Sequence, residues 1–226
     1  LPMRGASLAL TSTGVVESEK ESGGTMDIVG IGNALMDIVA FVDEDFAPSL
    51  GFHNGMTVHL GSERIADVLK ALPDPILSAG GGAANTARVS AILGAKATFV
   101  GSVGGDAEGR AYGQDLQESG VELRLSTSPA PTGLFINLVR PDGGRTVLVS
   151  PGAALDLCLE VPPESLFRAS SLLYLEGFLL RDRSYFLACL EGARSRGMRI
   201  AIDLGSYSLV EAERDWVPTG AEQSLY

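Results

Sequence analysis

Histidine, cysteine and tryptophan are scarce in this sequence of 226 residues, with two, two and one copies respectively. His53 and His59 are spaced to fit neither one face of a helix nor a zinc motif, which excludes the common zinc hydrolases. Cys158 and Cys189 lie in separate apolar neighbourhoods, so we expect two buried thiols rather than a disulfide framework. This cysteine usage is typical of a protein from the reducing cytoplasm.

Positive charge is also in short supply. The chain has 17 Lys and Arg residues against 28 Asp and Glu residues, a net charge of -11. Nucleic acids and anionic membranes are bound by cationic surfaces, so neither is expected as a partner. No apolar run reaches the length of about 18 residues that a membrane helix needs. The apolar stretch at 6–10 is too short for a signal peptide, and we expect a soluble, cytoplasmic protein.

Several catalytic motifs are missing. The sequence has no Gly-Lys pair for a P-loop and no Gly-x-Ser-x-Gly elbow, which argues against P-loop NTPases and serine hydrolases. Gly30-x-Gly32 follows a predicted strand, as in a dinucleotide-binding motif. However, Leu35 stands in place of the third glycine, and the next segment has the pattern of a strand rather than a helix.

The sequence divides into a patterned central region and two ends without apolar periodicity. Residues 1–25 are rich in Ser, Gly, Thr and Glu, a composition that predicts a disordered leader. Residues 26–216 carry the apolar patterning of one large α/β domain. Residues 217–226 are predicted to be a frayed tail.

Strand-like and helix-like patterns alternate through the central region. Apolar and β-branched runs predict strands at 28–32, 37–42, 97–101, 172–176 and 199–203. Apolar spacings of three and four, with glycine or proline at the ends, predict helices at 62–72, 83–93, 108–119 and 182–196. This order predicts a mostly parallel sheet with helices on both faces.

One segment interrupts this alternation. Two apolar runs within 133–149 flank the turn sequence Pro141-Asp142-Gly143-Gly144, which predicts an antiparallel hairpin inserted between α/β units. Such an insertion can serve as a flap or lid over a site.

Two glycine-containing segments are candidate binding elements. Gly80-Gly81-Gly82 leads directly into a helix whose free N–H groups and Asn85 side chain could meet a hydroxyl-rich ligand, although a tight turn driven by packing explains the glycines equally well. Asp37 follows Gly30-Ile31-Gly32-Asn33 and could accept hydrogen bonds from two vicinal hydroxyls. A role in a turn or cap is the alternative for both Asp37 and Asn33.

These segments together resemble the ribokinase/PfkB family, and in particular its adenosine-kinase-like members. The resemblance rests on Gly30–Asp37 with the acidic segment that follows, on Gly80–Asn85, on the loop Val100–Gly109, and on Tyr174–Gly177. It extends over about 26–216. It implies a ribokinase-like three-layer α/β/α fold with a mostly parallel sheet, and it assigns the 133–149 hairpin to a small β-sheet lid.

The resemblance also implies roles for single residues. Asn33 and Asp37 would bind sugar or ribose hydroxyls. Further substrate-binding positions would be Gly80, Gly81, Asn85 and Glu176. Arg145, just after the lid turn, would contact the transferred phosphate, although a solvated turn residue is the alternative.

The implied activity is ATP-dependent phosphorylation of a primary hydroxyl on an adenosine-like nucleoside or a sugar, with Mg²⁺ on the nucleotide. The Gly-Ala-Gly-Asp stretch that would supply the catalytic base does not occur in this sequence, so we name no base and no protein ligand for a metal. We therefore expect the N-terminal two-thirds of such a kinase, with the C-terminal part of the fold missing. The alternative is a non-catalytic remnant that only binds substrate, and either could form a homodimer through the lid.

Overall fold

The computed structural model describes residues 26–159, 162–169 and 171–214, with only the backbone described at 158 and 159. The predictions for the 1–25 leader, the 217–226 tail and the Cys158 thiol fall outside these residues. The described residues form ten strands, and in chain order they are β1 Ile28–Ile31, β2 Leu35–Phe41, β3 Thr57–His59, β4 Ile76–Gly80, β5 Ala97–Gly104, β6 Glu122–Ser128, β7 Gly133–Val139, β8 Arg145–Ser150, β9 Leu172–Leu175 and β10 Arg199–Ile202.

Helices connect most of these strands. The α-helices are α1 Phe46–Ser49, α2 Ser62–Ala71, α3 Gly82–Ile92, α4 Ala107–Glu118, α5 Arg183–Ser195 and α6 Tyr207–Ala212, and 3₁₀ helices cover Gly152–Leu159, Glu164–Leu166 and Gly177–Arg181. Among the described residues, no helix combines the length and apolar character needed to cross a membrane.

The strands form two sheets of five strands each. The first, here called the parallel sheet, has the order β10-β9-β1-β5-β6, and all of its neighbours run parallel. The second sheet has the order β3-β8-β7-β2-β4 and mixes parallel with antiparallel pairs. The chain passes from the parallel sheet into the second sheet directly after β1, and it returns through α3 into β5.

The parallel sheet has buried side chains on both faces, as a doubly covered sheet requires. All residues of β1 and β5 are buried, and the strand neighbours Ile28 and Val29 belong to different apolar clusters. The cluster containing Ile28 also holds residues of α2, α3, α4 and the second sheet. The cluster containing Val29 holds residues of α5, including the fully buried Cys189. The layered α/β prediction is confirmed.

Local sequence signals set the helix ends. Asp182 caps α5 by accepting a hydrogen bond from the backbone N–H of Tyr185 at 3.0 Å. The predicted closing glycines Gly94, Gly120 and Gly197 all have positive φ values, which lets the chain leave each helix in the left-handed conformation.

The predicted hairpin is part of a larger structure. β7 and β8 pair antiparallel, with Val139 opposite Arg145, so the hairpin itself is confirmed. The chain supplies three further strands to the same sheet, and two of these, β3 and β4, are absent from the sequence predictions. Asp37, expected at the start of a strand, is instead the third residue of β2.

Candidate active site

The candidate site lies where the chain crosses between the two sheets. Residues 32–34 connect β1 to β2, and Gly81 connects β4 to α3. Glu176 and Asp203 directly follow β9 and β10. The residues that directly follow β1, β9 and β10 share one edge of the parallel sheet, at the carboxyl ends of its strands. Ligands of α/β proteins gather at this edge.

Asp37 occupies the middle of the site. Its Cα is in register with Ser78 on β4 and with Phe135 on β7, so these three side chains share one face of the second sheet. A Cβ at Gly80 would fall 2.2 Å from Cγ of Asp37, which means that the carboxylate lies directly over this glycine. Glycine is therefore required at position 80 for the carboxylate to occupy its place.

The Asp37 carboxylate makes no hydrogen bond to the described residues. Burial raises its pKa from 3.8 to about 6, and the positive charge of Arg88 opposes that rise. At neutral pH the group is thus ionised and partly desolvated, a state that favours short hydrogen bonds from a ligand.

The strand beneath Asp37 is held from the other side by α4. The Tyr112 hydroxyl donates to the carbonyl oxygen of Gly80 at 2.9 Å. The Asp115 carboxylate accepts from the backbone N–H of Ala79 at 2.6 Å and from Arg88 Nη2 at 2.7 Å. These bonds fix the end of β4, so Gly80 and the carboxylate above it have little freedom to shift.

Gly81 brings Asn33 to the site. It has a φ of 98°, and a Cβ there would lie 2.1 Å from the Asn33 carbonyl oxygen. The Asn33 backbone carbonyl and the Asp37 carboxylate thus lie against consecutive glycines, whose Cα atoms are about 3.8 Å apart. Asn85 lies in the first turn of α3, where its side chain is exposed and makes no hydrogen bond to the described residues.

Glu176 forms the inner wall of the site. It is 3% exposed, and its carboxylate accepts a hydrogen bond from the backbone N–H of Asn33 at 2.8 Å. Burial raises its pKa from 4.5 to about 7, with a smaller contribution from the Asp203 charge. A Cβ at Gly32 would lie 2.1 Å from Glu176 Oε2, so Gly32 is the glycine that admits this carboxylate. The hydrogen bond from Asn33 shows that Glu176 holds the connection between β1 and β2 in place. A contact between Glu176 and the substrate stays a prediction.

Asp203 is a site residue that the sequence predictions missed. Its carboxylate accepts from the Tyr174 hydroxyl at 3.0 Å and lies 3.0 Å from where a Cβ would stand on Gly82. With Glu176 it lines an open cleft of about 560 Å³ next to the start of α3. Its position directly after β10 was the available signal, since side chains just beyond parallel strands face this edge of the sheet.

Arg145 is not brought together with the other predicted residues. Its strand partner is Val139, which pairs in turn with Phe41, four positions along β2 from Asp37. Four strand residues span about 13 Å, so Arg145 lies toward the opposite end of the second sheet. Its contact with the transferred phosphate stays a prediction.

The raised pKa of Glu176 predicts a pH dependence of stability. A carboxyl group whose pKa is higher in the folded state, here about 7 against 4.5, stabilises the fold below pH 4.5 and loses that contribution as pH rises through 7. Replacing Glu176 by Gln should therefore remove a decline of about 3 kcal/mol in the free energy of unfolding between pH 4.5 and 8.

Urea denaturation of both proteins across this pH range measures the difference. Glu122→Gln is the matched control, because the Glu122 side chain is 49% exposed. Parallel pH profiles for the wild type and Glu176→Gln would contradict the assignment of a buried, proton-binding Glu176.

Comparison with known proteins agrees with this geometry. Residues 27–197 match the pfkB family of carbohydrate kinases. An aminoimidazole riboside kinase of Salmonella typhimurium is 35% identical over 148 residues, which are 62% of this chain and 45% of that protein. A nucleoside kinase of Methanothermobacter thermautotrophicus is 31% identical over 144 residues, which are 60% of this chain and 45% of that protein. The chain thus spans less than half the length of these curated relatives.

Solved structures share the fold. Adenosine kinase from Sinorhizobium meliloti superposes with a TM-score of 0.77 at 25% identity, covering 89% of this chain and 63% of that one. Adenosine kinase from Anopheles gambiae gives a TM-score of 0.72 at 21% identity, covering 84% of this chain and 60% of that one. The predicted ribokinase-like architecture is confirmed, and with the sequence match over residues 27–197 the chain belongs to the pfkB family of carbohydrate kinases.

Proposed function

We propose that this chain carries the acceptor-binding site of an ATP-dependent kinase that phosphorylates a primary hydroxyl of a nucleoside or a related sugar. The observation that supports this most directly is the Asp37 carboxylate, which lies over Gly80 without a hydrogen bond to the described residues. A partly buried anion with unused acceptor positions is suited to a ligand that donates two hydrogen bonds. Vicinal hydroxyls of a ribose or hexose are such donors.

Binding through Asp37 would also orient the acceptor. Two hydrogen bonds to one carboxylate fix both the position and the rotation of a sugar ring. The primary hydroxyl is thereby held in one direction, and this loss of rotational freedom is a large part of what a phosphoryl-transfer enzyme supplies.

The neighbours of Asp37 favour a nucleoside over a free sugar. The Phe135 side chain lies beside Asp37 on the same face of the second sheet and is partly exposed. Val39, two positions along β2, adds an apolar surface on that face. An aromatic side chain next to a hydroxyl-binding carboxylate can stack on a base while the ribose binds Asp37. Two curated relatives carry the names aminoimidazole riboside kinase and nucleoside kinase, which supports this choice.

ATP and Mg²⁺ belong to the proposed reaction, in which the nucleotide supplies the phosphoryl group and the metal neutralises its charge. The part of the chain that the structure describes has no group of three or more acidic, His or Cys residues that could hold a metal. Glu176 and Asp203 form only a pair, which suits Mg²⁺ when substrate phosphates complete its coordination. The steps that we assign to the described residues of this site are therefore binding and orientation of the acceptor.

The predicted homodimer and cytoplasmic location stay predictions.

Isothermal titration of the 226-residue chain with a ligand series tests this proposal. Adenosine or aminoimidazole riboside should bind, and a 2′,3′-dideoxy analogue should bind at least about 30-fold more weakly, because each hydrogen bond to a charged group contributes about 1.5–3 kcal/mol. Equal affinity for the ribosides and their dideoxy analogues, or no binding of any riboside or sugar, would overturn the proposal. Incubation of the chain with MgATP and the bound riboside is expected to give no phosphorylated product, because the sequence lacks the Gly-Ala-Gly-Asp stretch that the family resemblance assigns to the catalytic base.

A further inference from the structure

Arg181 connects three segments around the candidate site. It ends the 3₁₀ helix Gly177–Arg181, and its guanidinium donates to Oδ1 of Asn33 at 2.9 Å across 148 positions of sequence. It also donates to the carbonyl oxygens of Ala154 at 2.6 Å and Phe178 at 3.1 Å. Three hydrogen bonds in different directions leave the guanidinium plane little freedom to rotate.

This contact determines which way the Asn33 carboxamide points. A guanidinium group has only donors, so the atom of Asn33 that faces it must be the carboxamide oxygen. The amide nitrogen Nδ2 then points away from Arg181, and it makes no hydrogen bond to the described residues. Asn33 is 8% exposed, and its backbone N–H donates to Glu176 at 2.8 Å. Its side chain is therefore fixed as a hydrogen-bond donor to a ligand.

Asp37 has the opposite polarity. Its ionised carboxylate only accepts hydrogen bonds. The Asn33 backbone carbonyl lies against Gly81 and the Asp37 carboxylate lies over the adjacent Gly80, so the two residues border the same part of the site, one with a fixed donor and one with an acceptor. A hydroxyl can satisfy either side chain, whereas a group with donors alone can satisfy only Asp37.

We propose that Arg181 is a positioning residue that holds the Asn33 carboxamide with its NH₂ group toward the ligand, and that the site thereby selects an oxygen acceptor at one particular hydroxyl of the substrate. This inference rests on the proposed function. It predicts that an ammonium group at that hydroxyl position is rejected, because two sets of donors would face each other. Without Arg181 the carboxamide can rotate by 180° and present its oxygen, so that the ammonium group is accepted.

Affinities for a riboside and for its amino-deoxy analogues, with each hydroxyl replaced in turn by an ammonium group, test the proposal in three proteins. One analogue carries its ammonium group at the hydroxyl position that faces Asn33. The wild type should bind this analogue at least about tenfold more weakly than the riboside, which is the cost of leaving buried donors unpaired. Arg181→Met should reduce this ratio to within about threefold, and Arg181→Lys, which keeps a group with donors alone, should restore it.

Comparing the affinities for analogues substituted at each hydroxyl distinguishes the positioning role of Arg181 from a role of its charge alone or a structural role. Loss of the Arg181 charge alone would relieve every ammonium analogue alike, and a merely structural role would weaken all ligands in proportion. Either pattern would overturn the proposal, as would a Lys variant that behaves like Met. Should Arg181→Met not fold, Arg181→Lys must still keep the wild-type ratio at the single position, and a changed ratio there overturns the proposal. Failure of the wild-type chain to bind the riboside itself would overturn the proposed function, and this inference with it.

Discussion

Asp37→Asn is expected to weaken riboside binding by about 30- to 200-fold at pH 7.5 while leaving the fold intact. The substitution keeps the shape of the side chain but removes its charge and replaces one acceptor with a donor. The loss corresponds to about 2–3 kcal/mol of hydrogen bonding to a charged group. Stability should not fall, because burial raises the pKa of Asp37 to about 6 and thus disfavours its ionised form in the folded state.

Titration calorimetry and thermal unfolding of the variant measure the two effects separately. Asp67→Asn is the matched control, since the Asp67 side chain is 62% exposed and forms an ion pair at 3.3 Å with Lys70, which is itself exposed. This variant should bind as the wild type does. Wild-type affinity in Asp37→Asn would remove Asp37 from the site.

Gly32→Ala is expected to destabilise the fold by about 3 kcal/mol, the upper range for forcing extra atoms into a packed interior. The new Cβ would lie 2.1 Å from Glu176 Oε2 and 2.8 Å from the Cβ of Ala83. Both neighbours are buried, so the clash cannot be relieved by turning a side chain toward solvent. Displacing Glu176 would also break its hydrogen bond from the Asn33 backbone.

Chemical denaturation measures this effect, with Gly61→Ala as the control. No atom lies within 4 Å of a Cβ at Gly61, so the same change there should cost little. A double variant that combines Gly32→Ala with Glu176→Ala sharpens the test, because it removes the carboxylate that the new methyl group would strike. If Gly32→Ala lowers the free energy of unfolding by the same amount with Ala at position 176 as with Glu, the clash with the Glu176 carboxylate is not the cause.

The layered fold could be predicted from sequence because its signals are local. The apolar runs of β1 and β5 and the helix of 83–93 follow from periodicity and from glycine at the helix ends. β4 was missed because its first residues, Ile76 and Leu77, are exposed and follow two prolines, so no alternating pattern marks them. Its strand conformation depends on antiparallel pairing with β2, a contact that only the fold provides.

Part of the site could also be predicted. The family resemblance assigned Gly80 and Gly81 to the same site as Asn33 and Asp37, and these two glycines do lie against the Asn33 backbone and the Asp37 carboxylate. Arg181 could not be predicted, because its bond to Asn33 spans 148 positions and nothing near it in sequence marks a site. Asp203 was identifiable only as the residue after a strand, a position that becomes informative once the strand order is known.

A crystal structure of the chain with a bound riboside would show directly which side chains hold the acceptor. We expect two hydroxyl oxygens of the ribose within about 2.5–2.9 Å of the Asp37 carboxylate oxygens, one of them also accepting from Asn33 Nδ2. A ligand bound in the cleft between Glu176 and Asp203, with the Asp37 carboxylate facing only solvent, would contradict this expectation.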